Sequence, residues 1–326
     1  MGRCLVTGGA GFIGSHLVDA LLQQGHAVRV LDDFSAGKRE NLAQAADRVE
    51  LIHGSVADGA AVAKAVPGCE VVYHLAAIAS VTKSVEAPLV SHEVIATGTL
   101  QVLEAARRLG VRRVVYAGSS SAYGDQPGTD RLETDALIPL SPYAAAKLAG
   151  EHYCSSYTAV HGLQTVRLRF FNVFGPRQDA LSPYSGVIAI FINAMKQGKA
   201  PTIYGDGAQV RDFVYVANVV QALCLAADSK AAIGQVYNIG NGESTTILDL
   251  VKHLNALLGA RIQPIHQPPR AGDVRVSQAD ISLARNELGY RPTVSFRDGL
   301  AKPLAASPAL SSQSATVAPC VPLPRK

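Results

Sequence analysis

Two rhythms of apolar residues alternate through the first half of the chain. Short β-branched or aliphatic runs at residues 3–6, 27–31, 49–53, 71–75, 113–117 and 165–168 are separated by stretches whose apolar positions recur at helical spacing. The clearest helical stretch is 12–24. Strands and helices in alternation imply right-handed crossovers and a parallel sheet covered on both faces, so the pattern predicts an α/β fold of the doubly wound, Rossmann type.

Beyond Asn172 the punctuation changes. Gly175-Pro176, Gly198, Gly205-Asp206-Gly207 and Gly240-Asn241-Gly242 cut the sequence into short irregular pieces. That predicts a smaller α/β substrate-binding region over the carboxyl ends of the strands, where open α/β sheets hold their ligands. The expected division is a dinucleotide-binding domain over 1–170, with room for later segments to rejoin its sheet, a substrate-binding region over 171–302, and a disordered tail over 303–326. Ala, Ser and Pro without periodicity mark the tail.

Length and composition narrow the class. At 326 residues the chain can bury a substantial core, and 48% hydrophobic with 17% charged residues fits a soluble globular enzyme. A net charge of +4, scattered rather than clustered, gives nucleic acid no footing. The longest apolar runs, such as 187–192, are too short to cross a bilayer, the first strand leaves no room for a signal peptide, and Val6 breaks the acylation pattern that Gly2 suggests. Cys4, Cys69, Cys154, Cys224 and Cys320 are odd in number and far apart, with no clustered histidines, so no metal site is expected and the thiols suit a reducing compartment. The expected location is the cytoplasm.

The chemistry begins at residues 7–14, Thr-Gly-Gly-Ala-Gly-Phe-Ile-Gly, at a strand-to-helix turn. Gly8, Gly11 and Gly14 allow a tight turn and a close backbone approach, while the free N–H groups and positive end of the helix, near Phe12 and Ile13, face a pyrophosphate. The second strand ends at Asp32, whose carboxylate suits an adenosine ribose diol and repels a 2′-phosphate, which favours NAD over NADP.

A second constellation follows. Tyr143 and Lys147 in Ser-Pro-Tyr-Ala-Ala-Ala-Lys lie one turn apart on one face of a helix. A phenol with a pKa of about 10 needs roughly 4 kcal/mol of help to serve as a base near neutral pH. A nearby ammonium and the positive ring of NAD⁺ can supply it jointly in a dry site. Residues 117–124, Ala-Gly-Ser-Ser-Ser-Ala-Tyr-Gly, end a strand with hydroxyls facing the same cleft, where one can share a substrate proton with Tyr143.

Together these motifs resemble those of the extended short-chain dehydrogenases/reductases, in the NAD-dependent epimerase/dehydratase family, over about nine-tenths of the chain. Residues 7–14, His74-Leu75-Ala76-Ala77, 119–124, Tyr143 with Lys147, 169–178, 211–216 and 270–275 carry the likeness. The resemblance implies that Ser119, Tyr143 and Lys147 are catalytic, and that Ser55, Val56, Leu75, Ala76 and Ala77 join the glycines, Phe12, Ile13, Asp32, Tyr143 and Lys147 around NAD. It assigns Ser119, Ser120, Tyr143, Asn172, Arg211, Arg270, Asp273 and Ser277 to a nucleotide-sugar substrate, with guanidinium groups suited to phosphate oxygens.

Dehydratases of the family place an acidic pair after the catalytic hydroxyl, where this chain has Ser120 and Ser121. The resemblance therefore implies C4 epimerisation of a UDP-hexose through a transient 4-keto sugar, with NAD retained. Ser277 matches a gate beside the sugar, and with a small Ala79 on the opposite wall it leaves room for an acetamido group. UDP-GlcNAc and UDP-GalNAc are thus expected ahead of UDP-glucose and UDP-galactose, as in bacterial surface-polysaccharide synthesis. Still open are a UDP-uronate 4-epimerase or decarboxylase, with Arg275 as the carboxylate partner, a dehydrogenase that releases NADH, and a silent nucleotide-sugar or NAD sensor. A homodimer through helices near 90–108 and 143–160 is implied as well. Three departures stand out: Ser55 replaces a usual Asp, Ile95 falls near a usual Asn, and the usual closing helix after Gly299-Leu300 is expected to give way to the tail.

Overall fold

A computed structural model describes residues 2–179, 186–269 and 274–305. Its centre is a sheet of seven strands: β1 (Arg3–Thr7), β2 (Ala27–Asp32), β3 (Val49–His53), β4 (Val71–His74), β5 (Arg113–Ser119), β6 (Gln164–Phe170) and β7 (Val236–Ile239). They lie in the order β7-β6-β5-β4-β1-β2-β3, and every neighbouring pair is parallel. The chain runs outward from β1 to β3, then returns to the other side of β1 and runs outward again. The connections after β1 and β4 therefore leave in opposite directions and open a crevice at their carboxyl ends.

The strands form because both of their faces are covered. Cys4 to Thr7, all of β4 and residues 113–118 are buried, and continuous apolar runs without alternation are what a sheet between two helical layers requires. On one side Leu17, Val18 and Leu21 of helix α1 (Phe12–Gln23) share a core with Val219, Leu223 and Ala226 of a later helix, Val216–Asp228. On the other, Val102, Leu103 and Ala106 of α2 (Gly98–Arg108) pack with Leu5, Val72 and Val114. The helix α3 (Pro142–His161) starts where the Ser141 hydroxyl accepts the Ala144 N–H at 3.2 Å and Pro142 occupies the first turn.

The first six strands fall where the apolar runs place them. β7 is different: Val-Tyr-Asn-Ile is too short and too polar at Asn238 to stand out, yet it pairs with β6 and buries Tyr237, Asn238 and Ile239 completely. The chain after β6 also pairs Phe213–Tyr215 with Asn172–Phe174 and builds a four-stranded sheet from Thr245–Thr246, Val210–Arg211 and Val276–Ala279, completed by Asp130–Arg131 from before β6. The expected loss of the closing helix is corrected: a helix spans Phe296–Ala305, because Phe296 and Leu300 have a core of Phe174, Phe213 and Leu250 to pack against. The remainder of the expected tail, 306–326, lies outside the described residues.

At Gly14 a Cβ would stand 2.1 Å from the Gly8 carbonyl oxygen, and a backbone atom cannot swing aside as a side-chain tip can. Gly14→Ala should cost about 2 kcal/mol or more in folding stability, read as a lower urea midpoint at unchanged slope. An unshifted midpoint would refute the tight packing of this turn.

Candidate active site

A cavity of about 650 Å3 opens at the crevice between β1 and β4, and it gathers nearly all the residues expected at the cofactor. Gly8, Gly11, Phe12, Ile13 and Gly14 form one wall. Gly8 has φ +69°, its N–H donates to the Leu31 carbonyl at 2.8 Å, and a Cβ there would lie 2.8 Å from the Ala76 nitrogen. Side chains on this turn would fill the cradle that a diphosphate needs, and the first turn of α1 starts directly behind it, so the residues fit a dinucleotide.

Asp32 lies at the end of β2 with one carboxylate oxygen accepting the Ala10 N–H and the other the Phe34 N–H, both at 2.8 Å. Burial raises its pKa and those two N–H groups oppose the rise. A carboxylate has about four acceptor positions, so two remain for a ribose diol. Ser55 and Val56 line the cavity beyond it, and the Ser55 hydroxyl accepts the Ala57 N–H at 3.3 Å.

Leu75, Ala76 and Ala77 continue from β4 along the opposite wall. Their position depends on a chain of hydrogen bonds through buried His74. The Ala76 N–H donates to Thr7 Oγ1 at 3.2 Å, Thr7 Oγ1 lies 2.7 Å from His74 Nδ1, His74 Nε2 lies 3.0 Å from Thr99 Oγ1, and Thr99 donates to the Ile95 carbonyl. Each hydroxyl can donate once only if Nδ1 accepts from Thr7 and Nε2–H donates to Thr99, which selects a neutral imidazole. Burial, with Lys147 adding to it, pushes His74 down to about 3. Ile95, at the usual Asn position, is buried with Ala96 and Ala146 against Tyr143.

Ser119, Tyr143 and Lys147 all reach this cavity, the first from the end of β5 and the others from α3. Lys147 is 3% exposed and donates to the Ala117 carbonyl at 2.8 Å, with its ammonium 5.2 Å from the Tyr116 ring centre. Burial lowers its pKa to about 8, against the carboxylate of Glu151. Burial raises Tyr143, and the Ser119 hydroxyl draws it back. Ser119 Oγ lies 2.8 Å from Ser121 Oγ and accepts the Ser121 N–H.

The residues expected at the substrate divide. Ser120 begins the turn after Ser119 but does not line the cavity. Asn172, Arg211 and Ser277 form a separate group around Asp212: Arg211 pairs with Ser277 in adjacent strands, the Asp212 N–H donates to the Ser277 carbonyl at 2.7 Å, and the Asn172 N–H donates to the Asp212 carbonyl at 3.0 Å. Arg270 and Asp273 lie outside the described residues. Sequence reasoning missed Asn41, Lys83, Arg177 and Gln178 in the cavity wall. Asn41 donates to the Ala10 carbonyl and Arg177 pairs with Asp19 of α1 at 2.7 Å, contacts that no short motif announces. Among the described residues no His, Cys, Asp and Glu cluster could hold a metal, and no helix is long and apolar enough to cross a membrane.

A dinucleotide cradle at a sheet's switch point, with a Ser-Tyr-Lys set at its edge, defines a Rossmann-type nucleotide-dependent protein. The chain belongs to the NAD dependent epimerase/dehydratase family, whose model matches residues 4–240. It is 42% identical over 306 residues to the UDP-glucose 4-epimerase of Mycolicibacterium smegmatis, covering 92% of this chain and 96% of that one. Among solved structures it is similar to a UDP-glucose 4-epimerase with UDP-glucose from Thermotoga maritima, with TM-score 0.88, 40% identity and coverage of 92% and 96%. A UDP-N-acetylglucosamine 4-epimerase from Methanobrevibacter ruminantium, in complex with UDP-N-acetylmuramic acid, matches with TM-score 0.88, 38% identity and coverage of 92% and 96%.

A neutral His74 has a consequence for acid stability. As pH falls below the ordinary value of 6.5 the unfolded chain takes up a proton that the folded chain accepts only near 3, so stability present above 6.5 is lost across that window. The loss approaches about 1.4 kcal/mol per pH unit from this group. Urea midpoints against pH should fall less steeply for His74→Asn than for the natural chain, even if the variant starts lower. Parallel slopes would show that His74 is not the group responsible.

Proposed function

We propose that this chain is an NAD-dependent UDP-sugar 4-epimerase. The observation that carries the reading is the convergence of Ser119, Tyr143 and Lys147 on the cavity walled by the glycine turn. NAD, when bound, accepts the C4 hydride of the sugar and later returns it.

In this reading Tyr143 takes the proton of the sugar 4-hydroxyl, with Ser119 sharing it and the Lys147 ammonium stabilising the phenolate. The 4-keto sugar turns over in the site, and Tyr143 gives the proton back after hydride has returned to the other face. Gly8, Gly11, Gly14 and the start of α1 hold the cofactor diphosphate, and Asp32 holds the adenosine ribose. The region over 171–302 receives the nucleotide sugar, with Arg211, Asn172 and the described neighbourhood of Ser277 beside its diphosphate and sugar. Hydroxyls rather than carboxylates at Ser120 and Ser121 leave no acid and base for removing water across C5 and C6.

N-acetylated hexoses are the preferred substrates we infer, since Ser277 beside Arg211 and Ala79 in the cavity wall are both small. Against the uronate alternative we set the ion pair of its expected partner: Arg275 forks onto Asp206 at 2.7 and 3.0 Å. A homodimer is supported by the exposed apolar side chains of Val85, Leu89 and Val90, with Tyr153 and Val160 on neighbouring α3. The four free cysteines among the described residues suit a reducing compartment.

Two measurements test the reading. Turnover of UDP-GlcNAc should exceed that of UDP-glucose at equal concentration, without accumulation of reduced-nicotinamide absorbance; a clear preference for glucose would refute the role of Ser277, and accumulating absorbance would indicate a dehydrogenase. Tyr143→Phe should lower kcat roughly 10²- to 10⁴-fold while the protein still carries NAD. An unchanged rate would remove Tyr143 from the chemistry.

A further inference from the structure

One turn along α3 from Lys147, and on the same face, stands Glu151. It is 2% exposed, and Arg169 of β6 forks onto it with Nε 3.0 Å and Nη2 2.9 Å from Oε2. The remaining arginine nitrogen donates to the Tyr123 hydroxyl at 2.9 Å and to the Glu133 carbonyl at 3.2 Å, and Tyr123 donates to Asn238 of β7 at 2.6 Å. Glu151 also touches the strand that carries Ser119, since a Cβ on Gly118 would meet Oε1 at 2.8 Å. One ion pair thus joins α3, β5, β6, β7 and the turn after Ser119.

A buried ion pair is a poor way to gain stability, because the cost of removing both charges from water offsets most of their attraction. Its location offers a better reason. We propose that Glu151, clamped by Arg169, is a positioning residue whose carboxylate is the fixed counter-charge of the Lys147 ammonium and whose bulk seats the strand end bearing Ser119. The groups facing Lys147 are few. Tyr143, Glu151 and Cys154 share its helix, Tyr116 faces it from β5 and His74 acts on it from β4, while Arg169 forks onto Glu151 and Arg167, also on β6, lies within its electrostatic reach. Burial keeps Cys154 at about 12 and Tyr116 well above the ordinary phenol value, and His74 is neutral, which leaves the Arg169-forked carboxylate of Glu151 as the negative partner in this set. Without it the ammonium would face only the Ala117 carbonyl and the Tyr116 ring.

The catalytic consequence rests on the epimerase reading, but the test does not need turnover. In the NAD-loaded protein with ¹³C-labelled lysine, the Lys147 resonance, assigned through Lys147→Met, is titrated by NMR. Glu151→Gln should move its midpoint down by about one pH unit, a tenfold weaker hold on the proton. Glu151→Asp, which keeps the charge, should leave it close to the natural value. If the Gln variant does not fold, the double variant Glu151→Gln/Arg169→Gln leaves no buried charge of the ion pair unmatched and should shift the midpoint in the same direction. An unmoved midpoint in a folded variant lacking the carboxylate would overturn the proposal. Where UDP-sugar turnover is present, the alkaline limb of kcat should move with the midpoint, whereas a uniform loss at every pH would indicate a structural role alone. A shifted midpoint without turnover in any form would leave Glu151 in place and reject the epimerase reading.

Discussion

Lys147 holds an ammonium almost wholly buried at the wall of the cavity, and much of the surrounding structure is arranged around that charge. Burial alone works against the charge, and the protein answers with a carbonyl from β5, an aromatic face and a carboxylate one turn along the same helix. Each of these partners is held in turn. The carbonyl belongs to the middle of the sheet, Tyr116 is buried and donates to the Lys147 carbonyl, and Glu151 is forked by Arg169. The position of α3 against the sheet is therefore set by polar contacts as well as by apolar packing.

The same requirement explains the quiet histidine across the crevice. A protonated His74 would add a second cation within reach of Lys147 and would break the hydroxyl chain that ties Thr7 to Ala76. Keeping the imidazole neutral holds the glycine turn and the β4 end in contact, and Gly8 can lie against Ala76 only because it has no side chain. The glycine turn and the Ser119, Tyr143 and Lys147 set thus line one cavity.

How much of this the sequence disclosed depends on the range of each interaction. Local signals were legible: the apolar runs placed β1 to β6, and the glycine turn, Asp32, Ser119, Tyr143 and Lys147 lie together in the cavity as their motifs imply. β7 was not, since four residues with Asn238 at their centre become a strand only when β6 offers an edge. Helix Phe296–Ala305 was hidden for the same reason, its apolar face acquiring meaning from aromatic residues far away in the chain. Arg169 lay inside a recognised motif, yet nothing local says that its partner is a glutamate on α3. Charge pairs distant in sequence carry no periodicity, so they escape any reading of pattern.

The region beyond β6 repeats the logic with a different group. Asp212 is fully buried, and its carboxylate accepts the N–H groups of Asn241 at 2.7 Å, Gly242 at 2.9 Å and Ala279 at 3.3 Å, while its backbone joins Asn172 and Ser277. Burial pushes this carboxyl up to about 6 in spite of those three donors. It ties the 241–242 turn to the end of the strand Val276–Ala279, and Arg211 is the residue before it. Each half of the molecule is therefore organised around one buried ionisable side chain. The two halves are joined through β6, which ends at Phe170 just before Asn172 and carries Arg169 one residue earlier.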